Sequence, residues 1–296
     1  MSSRRTTLLA MLALLAITAT WGSTFFMTKD LLDRLPLLDF LAIRFTVASV
    51  FMVALAPRAV PRLASASARH AVVLGAMYGV AQIVQTAGIA RTPASVSGFI
   101  TGMYVVLTPV LGALVLRSRI TAMTWVAVAV AMTGLGVLTL DGFSVGYGEA
   151  LVLVSAVLYA AHILGLGAWS RHDQAMGMSI VQVAMIALIA WVATVWDGVS
   201  LPGSAADWAR VVYMAVFAGA LAMLGQTWAQ AHLAPTRTAI IMTMEPVFAA
   251  FFAVLLGGEH ATARMLLGGL LVLAAMLLIE LVPRRRVEGE VTHIAV

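Results

Sequence analysis

The chain is a succession of apolar runs, each about as long as a bilayer is thick, and that pattern leaves few folds open. A hydrocarbon core of about 30 Å takes about 20 residues of helix. Runs of that length lie near 7–27, 37–56, 70–90, 94–116, 121–140, 148–169, 176–196, 208–233, 236–256 and 262–282. Of the 296 residues, 62% are hydrophobic and 10% charged, more apolar surface than a soluble chain of this size can bury. The expected fold is all-α and integral to the membrane, with ten transmembrane helices. Two joints are tight: Arg91-Thr92-Pro93 between the third and fourth runs, and Ala234-Pro235 between the eighth and ninth. Proline fits the first turn of a helix and disfavours helix in the residue before it, so each marks a reversal. Merging either pair would give nine or eight helices.

A net charge of +5 raises nucleic acid as a partner, but the arginines stand singly between apolar runs and read as topology signals. With the N-terminus inside, twelve Lys and Arg fall in cytoplasmic segments and five in outer loops. Both termini are therefore expected in the cytoplasm, with the chain in the cell (inner) membrane and the first helix retained. Trp169, Trp196 and Trp208 fall near helix ends, where interfacial anchors sit. Cysteine is absent, which excludes disulfides, thiolate metal sites and a cysteine nucleophile. No HExxH occurs, "TGLGVL" lacks the aspartate of an intramembrane protease, and "SVSG" lacks the leading glycine of a nucleophile motif. No enzyme, cofactor or metal site is expected, and no nucleotide-binding motif offers ATP as the driving force.

The two halves echo each other. "ATWGSTFFMTK" answers "AVLYAAHILGL", pairing Trp21 with Tyr159 at an offset of 138, and the same offset sets Arg44 against Gln182. "AQIVQTAGIA" answers "GQTWAQAHLA", pairing Gln82 with Gln226. "LTPVLGAL" answers "MEPVFAAF", pairing Pro109 with Pro246. Four matches in one order are hard to assign to chance. Five helices per half is an odd number, so the second half must insert upside down, and inverted repeats point to a transporter with its path between the halves.

"WGSTFFMTK", the arginine of "LAIRFTVAS" and "EPVFAAFFAVLLGGE" resemble EamA-type members of the drug/metabolite transporter superfamily, over about residues 8 to 282. The resemblance implies two inverted five-helix repeats around a central cavity, a first over 1–144 and a second over 145–283, with a cytoplasmic tail at 284–296. It implies that helices 1, 3, 4, 6, 8 and 9 surround the cavity, and that the chain exports its cargo. Within the family the likeness is to bacterial aromatic amino acid exporters. "LVLRSR" departs from the pattern, standing where members often carry a Gly-Glu pair.

Helical spacing selects path residues independently. Tyr78, Gln82 and Gln85 fall at i, i+4 and i+7 on one face of helix 3, and Gln226 and Gln230 form a similar face on helix 8. Helix 4 carries Ser97, Thr101, Tyr104 and Thr108; helix 1 aligns Thr18, Trp21 and Phe25; helix 6 aligns Ser155, Tyr159 and His162. Helices 5 and 10 have no such stripe and read as packing helices. Hydroxyls and amides in membrane helices also serve as glue between helices, at roughly 0.6 to 2 kcal/mol each. His162 is either a helix-bridging hydrogen bonder or a ligand and proton group.

Two charges lie deep. Arg44 is about 10 Å into helix 2, and reads as reaching back to the interface or pairing with Asp39. Glu245 is about 13 Å into helix 9, near the midplane, where a charge costs at least about 2.5 to 3.5 kcal/mol unless it faces protein or water. Pro246 and Pro109 each remove a backbone donor, freeing the carbonyls of Met242 and Val105 and making hinges of both sites. Such irregular backbone is tolerated where it lines a cavity. Glu245 therefore reads either as a path group or as a carboxyl hydrogen-bonded to a neighbouring helix. Glutamines, hydroxyls, aromatic rings and one carboxylate suit a small neutral or zwitterionic molecule such as an amino acid. Either Glu245 or His162 could carry a proton; facilitated diffusion fits equally. A channel or receptor is the competing class.

Overall fold

The computed structural model describes residues 4–115, 122–141, 144–169, 171, 173–194, 196, 198–230, 232–233 and 241–281. The helices are α1 (Arg4–Leu32), α2 (Leu37–Leu55), α3 (Ser65–Ile89), α4 (Ala94–Gly102), α5 (Tyr104–Val115) and α6 (Ala122–Thr139). There follow α7 (Tyr147–Trp169), α8 (Ala175–Thr194), α9 (Ala205–Tyr213), α10 (Ala222–Gln230), α11 (Glu245–Leu255) and α12 (Ala263–Leu281). A π-helical segment, Met214–Leu221, joins α9 to α10 in one rod. Among the described residues, a two-residue antiparallel ladder lies between α6 and α7, Leu140 opposite Val145 and Asp141 opposite Ser144.

Seven rods among the described residues are long and apolar enough to cross a membrane: α1, α2, α3, α4 with α5, α7, α8, and α9 through the π segment. Stretches of α6, α11 and α12 are apolar but shorter. The helix expected over 236–256 differs most. Residues 236–240 lie outside the described residues, Thr243 and Met244 form a turn, and the helix begins at Glu245. The run over 94–116 is likewise interrupted, at Met103.

Polarity is inverted relative to a soluble protein. Leu266, Leu267 and Leu270 on α12, Trp125 on α6 and Val192 on α8 are exposed, whereas Gln82, Gln85, His162, Gln182, Gln226 and Glu245 are buried. Large outward apolar faces with polar groups inside suit a lipid solvent. The chain is a multi-pass membrane protein.

The packing pairs elements across the halves. Helix α2 packs on α8, α6 on α12 and α4 on α11, while α3 lies against α7 and α1 against α10. Exchanging α2 with α8, α6 with α12, α4 with α11, α1 with α7 and α3 with α10 maps the first three pairs onto themselves and swaps the last two. Small residues permit these approaches. At the α6–α12 crossing, a Cβ added to Gly134 or to Gly268 would lie 2.9 Å from the other's carbonyl oxygen.

Candidate functional site

Two interrupted rods meet at the centre. Tyr104 opens α5 after the break at Met103, and Glu245 opens α11 after the turn at Thr243-Met244. The Tyr104 hydroxyl donates to Glu245 Oε2 at 2.8 Å, tying one break to the other. Close approach here needs a missing side chain, since a Cβ on Gly102 would lie 3.1 Å from Pro246 Cγ. Pro246 is not a mid-helix kink. It sits in the first turn of α11, where its absent N–H has no helical partner to lose and its fixed φ suits the start. Pro109, by contrast, lies inside α5 as expected.

Around this junction is a cavity of about 60 Å³, measured as room for the centres of water molecules. At roughly 10 to 15 Å³ of such room per water it holds a few waters, so larger cargo requires the walls to move. Trp21, Tyr78, Gln82, Gln85, Thr101, Tyr104, Tyr159, His162, Gln226 and Glu245 all line it. The side chain of Gln230, at the end of α10, lies outside the described residues. Among the described residues, none on α6 or α12 lines it.

Hydrogen bonds order one wall. Gln82 Nε2 donates to the Tyr159 hydroxyl at 2.6 Å, which donates to Gln85 Oε1 at 2.8 Å; Gln85 Nε2 then donates to Thr101 Oγ1 at 3.0 Å. This chain runs from α3 to α7, back to α3 and on to α4. His162 Nε2 bonds Gln182 Oε1 at 2.8 Å, and the Tyr78 ring lies 4.9 Å from the His162 ring and 5.2 Å from that of Tyr159. Trp21 Nε1 donates to the carbonyl of Ala218 at 2.9 Å, inside the π segment. Wider π turns occur at functional sites and change which carbonyls the helix satisfies itself.

The shorter hydroxyls of the stripes do something else. Thr18, Thr108 and Ser155 bond carbonyls of their own helices, of Leu15, Tyr104 and Val152. A short side chain reaches back one turn more readily than across to a neighbour. Ser97 is buried with its hydroxyl unpartnered.

Arg44 is the principal correction. It neither reaches the interface nor pairs with Asp39, which accepts from the backbone N–H of Ser200 at 2.8 Å and from the Thr194 hydroxyl. Arg44 is instead 6% exposed, lies beside the rings of Phe40 and Phe45 at 5.8 and 5.1 Å, and lines the cavity. Five residues of helix turn about 140°, so Asp39 and Arg44 point to different faces. The five-residue spacing, and the match of Arg44 to Gln182 in the repeat, were the available signals. Thr24, Thr28, Thr86 and Met242 also line the cavity without having been expected there.

At the end where α1 stops and α9 begins, the halves are tied by charge. Arg34 bonds Asp30 and Asp207, both at 2.8 Å, and Arg210 bonds the same two carboxylates at 3.1 and 3.2 Å. The bonds to Asp30 and then Asp207 hold the Arg34 guanidinium above its ordinary range. Glu259, another group that spacing did not select, accepts from the N–H groups of Ala94 and Ser95 and from the Ser95 hydroxyl, capping α4 from the other half. At the opposite end Gln174 Oε1 accepts from the Ala64 N–H, and His70 stacks on Trp169.

A helical membrane body in which broken helices meet over a buried polar cavity is a build found among membrane transporters. The chain belongs to the EamA-like transporter family, whose model matches residues 8–140 and again 146–281. It is 27% identical over 275 residues to a protein of Archaeoglobus fulgidus described as an uncharacterized transporter, covering 93% of this chain and 86% of that one. A solved crystal structure shares 15% sequence identity at a TM-score of 0.63, covering 94% of this chain and 97% of the other. At that identity the likeness speaks to fold alone.

Proposed function

We propose that the protein exports small neutral or zwitterionic metabolites, amino acids including aromatic ones first among them, by alternating access. The observation that carries this reading is the Tyr104–Glu245 bond, which joins the two helix breaks inside the polar cavity. Ten helices form two inverted repeats, 1–144 and 145–283, which rock about that contact. The family model matching twice and the pairwise exchange of helix contacts support the repeat. Residues 284–296, the proposed tail, lie outside the described residues. In this cycle the Arg34–Asp207 cluster and the Glu259 cap separate when the cavity opens toward their end, and Pro109 and the turn before Pro246 take up the bend.

Glu245 meets the cargo ammonium, and Trp21, Tyr78 and Tyr159 meet its apolar part. Glu245 or His162 carries any coupled proton. Another small metabolite or drug is the alternative cargo, and a channel the alternative class. Counterflow in proteoliposomes separates them: preloaded unlabelled amino acid should drive uptake of the labelled form, with saturation. Uptake that is neither saturable nor accelerated from the opposite side would place the protein among channels.

We also place both termini in the cytoplasm of an inner-membrane protein, on the lysine and arginine asymmetry. Reporter fusions at Arg62 and Arg117 should then score as cytoplasmic, and one at Asp207 as external. A reversed pattern would overturn the orientation.

A further inference from the structure

We infer that Arg44 is the anchor for a carboxylate on the cargo, so that the substrate class is a zwitterion with one carboxylate and one ammonium rather than a neutral molecule. The inference rests on the transporter reading of this same cavity and narrows it. Arg44 is 6% exposed, and its Nε is a buried donor with no hydrogen-bond partner. None of the five ion pairs among the described residues includes it. The one carboxylate near in sequence, Asp39, is committed to Ser200 and Thr194. Glu245, the carboxylate in the cavity wall, takes the Tyr104 hydroxyl.

A buried guanidinium without a counter-anion is among the least favourable arrangements a protein interior can hold. It persists where something outside the chain supplies the anion. Phe40 and Phe45 lie beside the guanidinium at ring distances, so it is held by aromatic contact while the group itself borders the cavity. A guanidinium offers a planar fork of donors, and the group that matches it is a carboxylate.

The same cavity holds an unmet group of the opposite kind. Gln226 Oε1 is a buried acceptor with no partner. One lining cation with a spare donor, one lining carboxylate and one spare acceptor together match a molecule carrying both an anion and an N–H-bearing cation. A neutral cargo would leave Arg44 unmatched. A phosphorylated one would bring about two negative charges to a cavity with a single guanidinium and a carboxyl group in its wall.

The test uses the full-length protein in proteoliposomes, with competition against labelled L-phenylalanine in counterflow. The probes are L-phenylalanine, L-leucine, L-phenylalaninamide, phenethylamine and phenylacetate. The free amino acids should compete well, and the amide and amine should be weaker by about tenfold to hundredfold, the range of one charge-assisted contact. Phenylacetate distinguishes a bare carboxylate from a zwitterion and should compete more weakly than phenylalanine. Competition at parity would overturn the zwitterionic requirement.

In Arg44→Gln the preference for free acid over amide should collapse toward one. The variant should unfold at or above the wild-type temperature, because an unmatched buried charge has been removed; an arginine with a purely structural role would lower it. Arg44→Lys, which keeps charge without the fork, should retain only part of the preference, and it decides the matter should the glutamine variant fail to fold. An unchanged acid-to-amide ratio in a folded variant overturns the anchor and leaves the transporter standing. Wild-type protein that carries phenethylamine and L-phenylalaninamide but none of the carboxylate probes overturns the anchor and the amino acid cargo together, and leaves only the family's transport activity.

Discussion

Glu245→Gln should give a folded protein whose counterflow of amino acid falls by tenfold or more. The amide is nearly isosteric with the carboxyl, and its oxygen can still accept from the Tyr104 hydroxyl, now 2.8 Å from Glu245 Oε2. The contact between the two helix breaks therefore survives, and the unfolding temperature should stay within a few degrees of wild type. What disappears is the ionisable carboxyl in a wall that is 5% exposed at this residue. A hydrogen bond to a charged partner contributes about 1.5 to 3 kcal/mol against about 1 for a neutral one, so loss of an ammonium contact should reduce rate or affinity by about tenfold. Tyr104→Phe is the complementary variant. It keeps the charge and removes the tie between the breaks, so it should change the rate of the conformational step more than the half-saturation concentration. If Glu245 also carries a proton, the glutamine variant should no longer respond to an imposed pH gradient. Wild-type rate, half-saturation and pH response in Glu245→Gln would reduce the residue to a hydrogen bonder between α5 and α11.

The sequence was legible where a physical constraint repeats along the chain. Bilayer thickness imposes one run length on every span, which is why α2, α7 and α8 begin and end close to their apolar runs. Helical periodicity likewise brought Tyr78, Gln82 and Gln85 to one cavity. Interruptions were harder, because a break inside an apolar run leaves composition unchanged. Nothing in "FITGMYVV" requires the helix to stop at Met103 rather than continue past Gly102. Pro246 carries an ambiguity of its own, since a proline in an apolar run fits a kinked helix and a helix start equally well. The π segment over "MAVFAGAL" has no residue pattern that sets it apart from an α-helix. Long-range pairs lie beyond spacing arguments altogether. Glu259 caps α4 across 165 residues of chain, a partnership only the folded arrangement defines. Arg44 was misassigned by assuming that a neighbouring opposite charge is a partner, where five residues of helix put the two on different faces.

Gly22→Leu should cause a large loss of stability at the crossing of α1 and α11. A Cβ added at Gly22 would lie 2.6 Å from Phe248 Cβ, 2.8 Å from the Ala249 nitrogen and 2.9 Å from the Phe248 carbonyl carbon. Two of those atoms are backbone and cannot rotate away, so α1 and α11 must separate. Even Gly22→Ala should cost about 1 to 3 kcal/mol, the usual range for overpacking. Transport should fall with it, because Trp21 immediately precedes Gly22 on α1 and Glu245 lies one turn before Ala249 on α11. Gly98 approaches Ala249 from α4, but there the clash is with a side chain: its Cβ would sit 2.4 Å from Ala249 Cβ, with the next atoms at 3.8 Å. The two sites should therefore respond differently to one suppressor. Ala249→Gly should restore most of the stability lost in Gly98→Ala, and little of that lost in Gly22→Ala. Gly167→Ala is the control, with nothing within 4 Å of the added carbon, and should be neutral or stabilising by up to about 1 kcal/mol. The measurement is the unfolding temperature of each purified variant in the same detergent. Equal rescue at both sites, or a loss at Gly167 as large as at Gly22, would mean that α1 and α11 can slide apart freely, and the tight crossing would no longer be what positions Trp21 and Glu245.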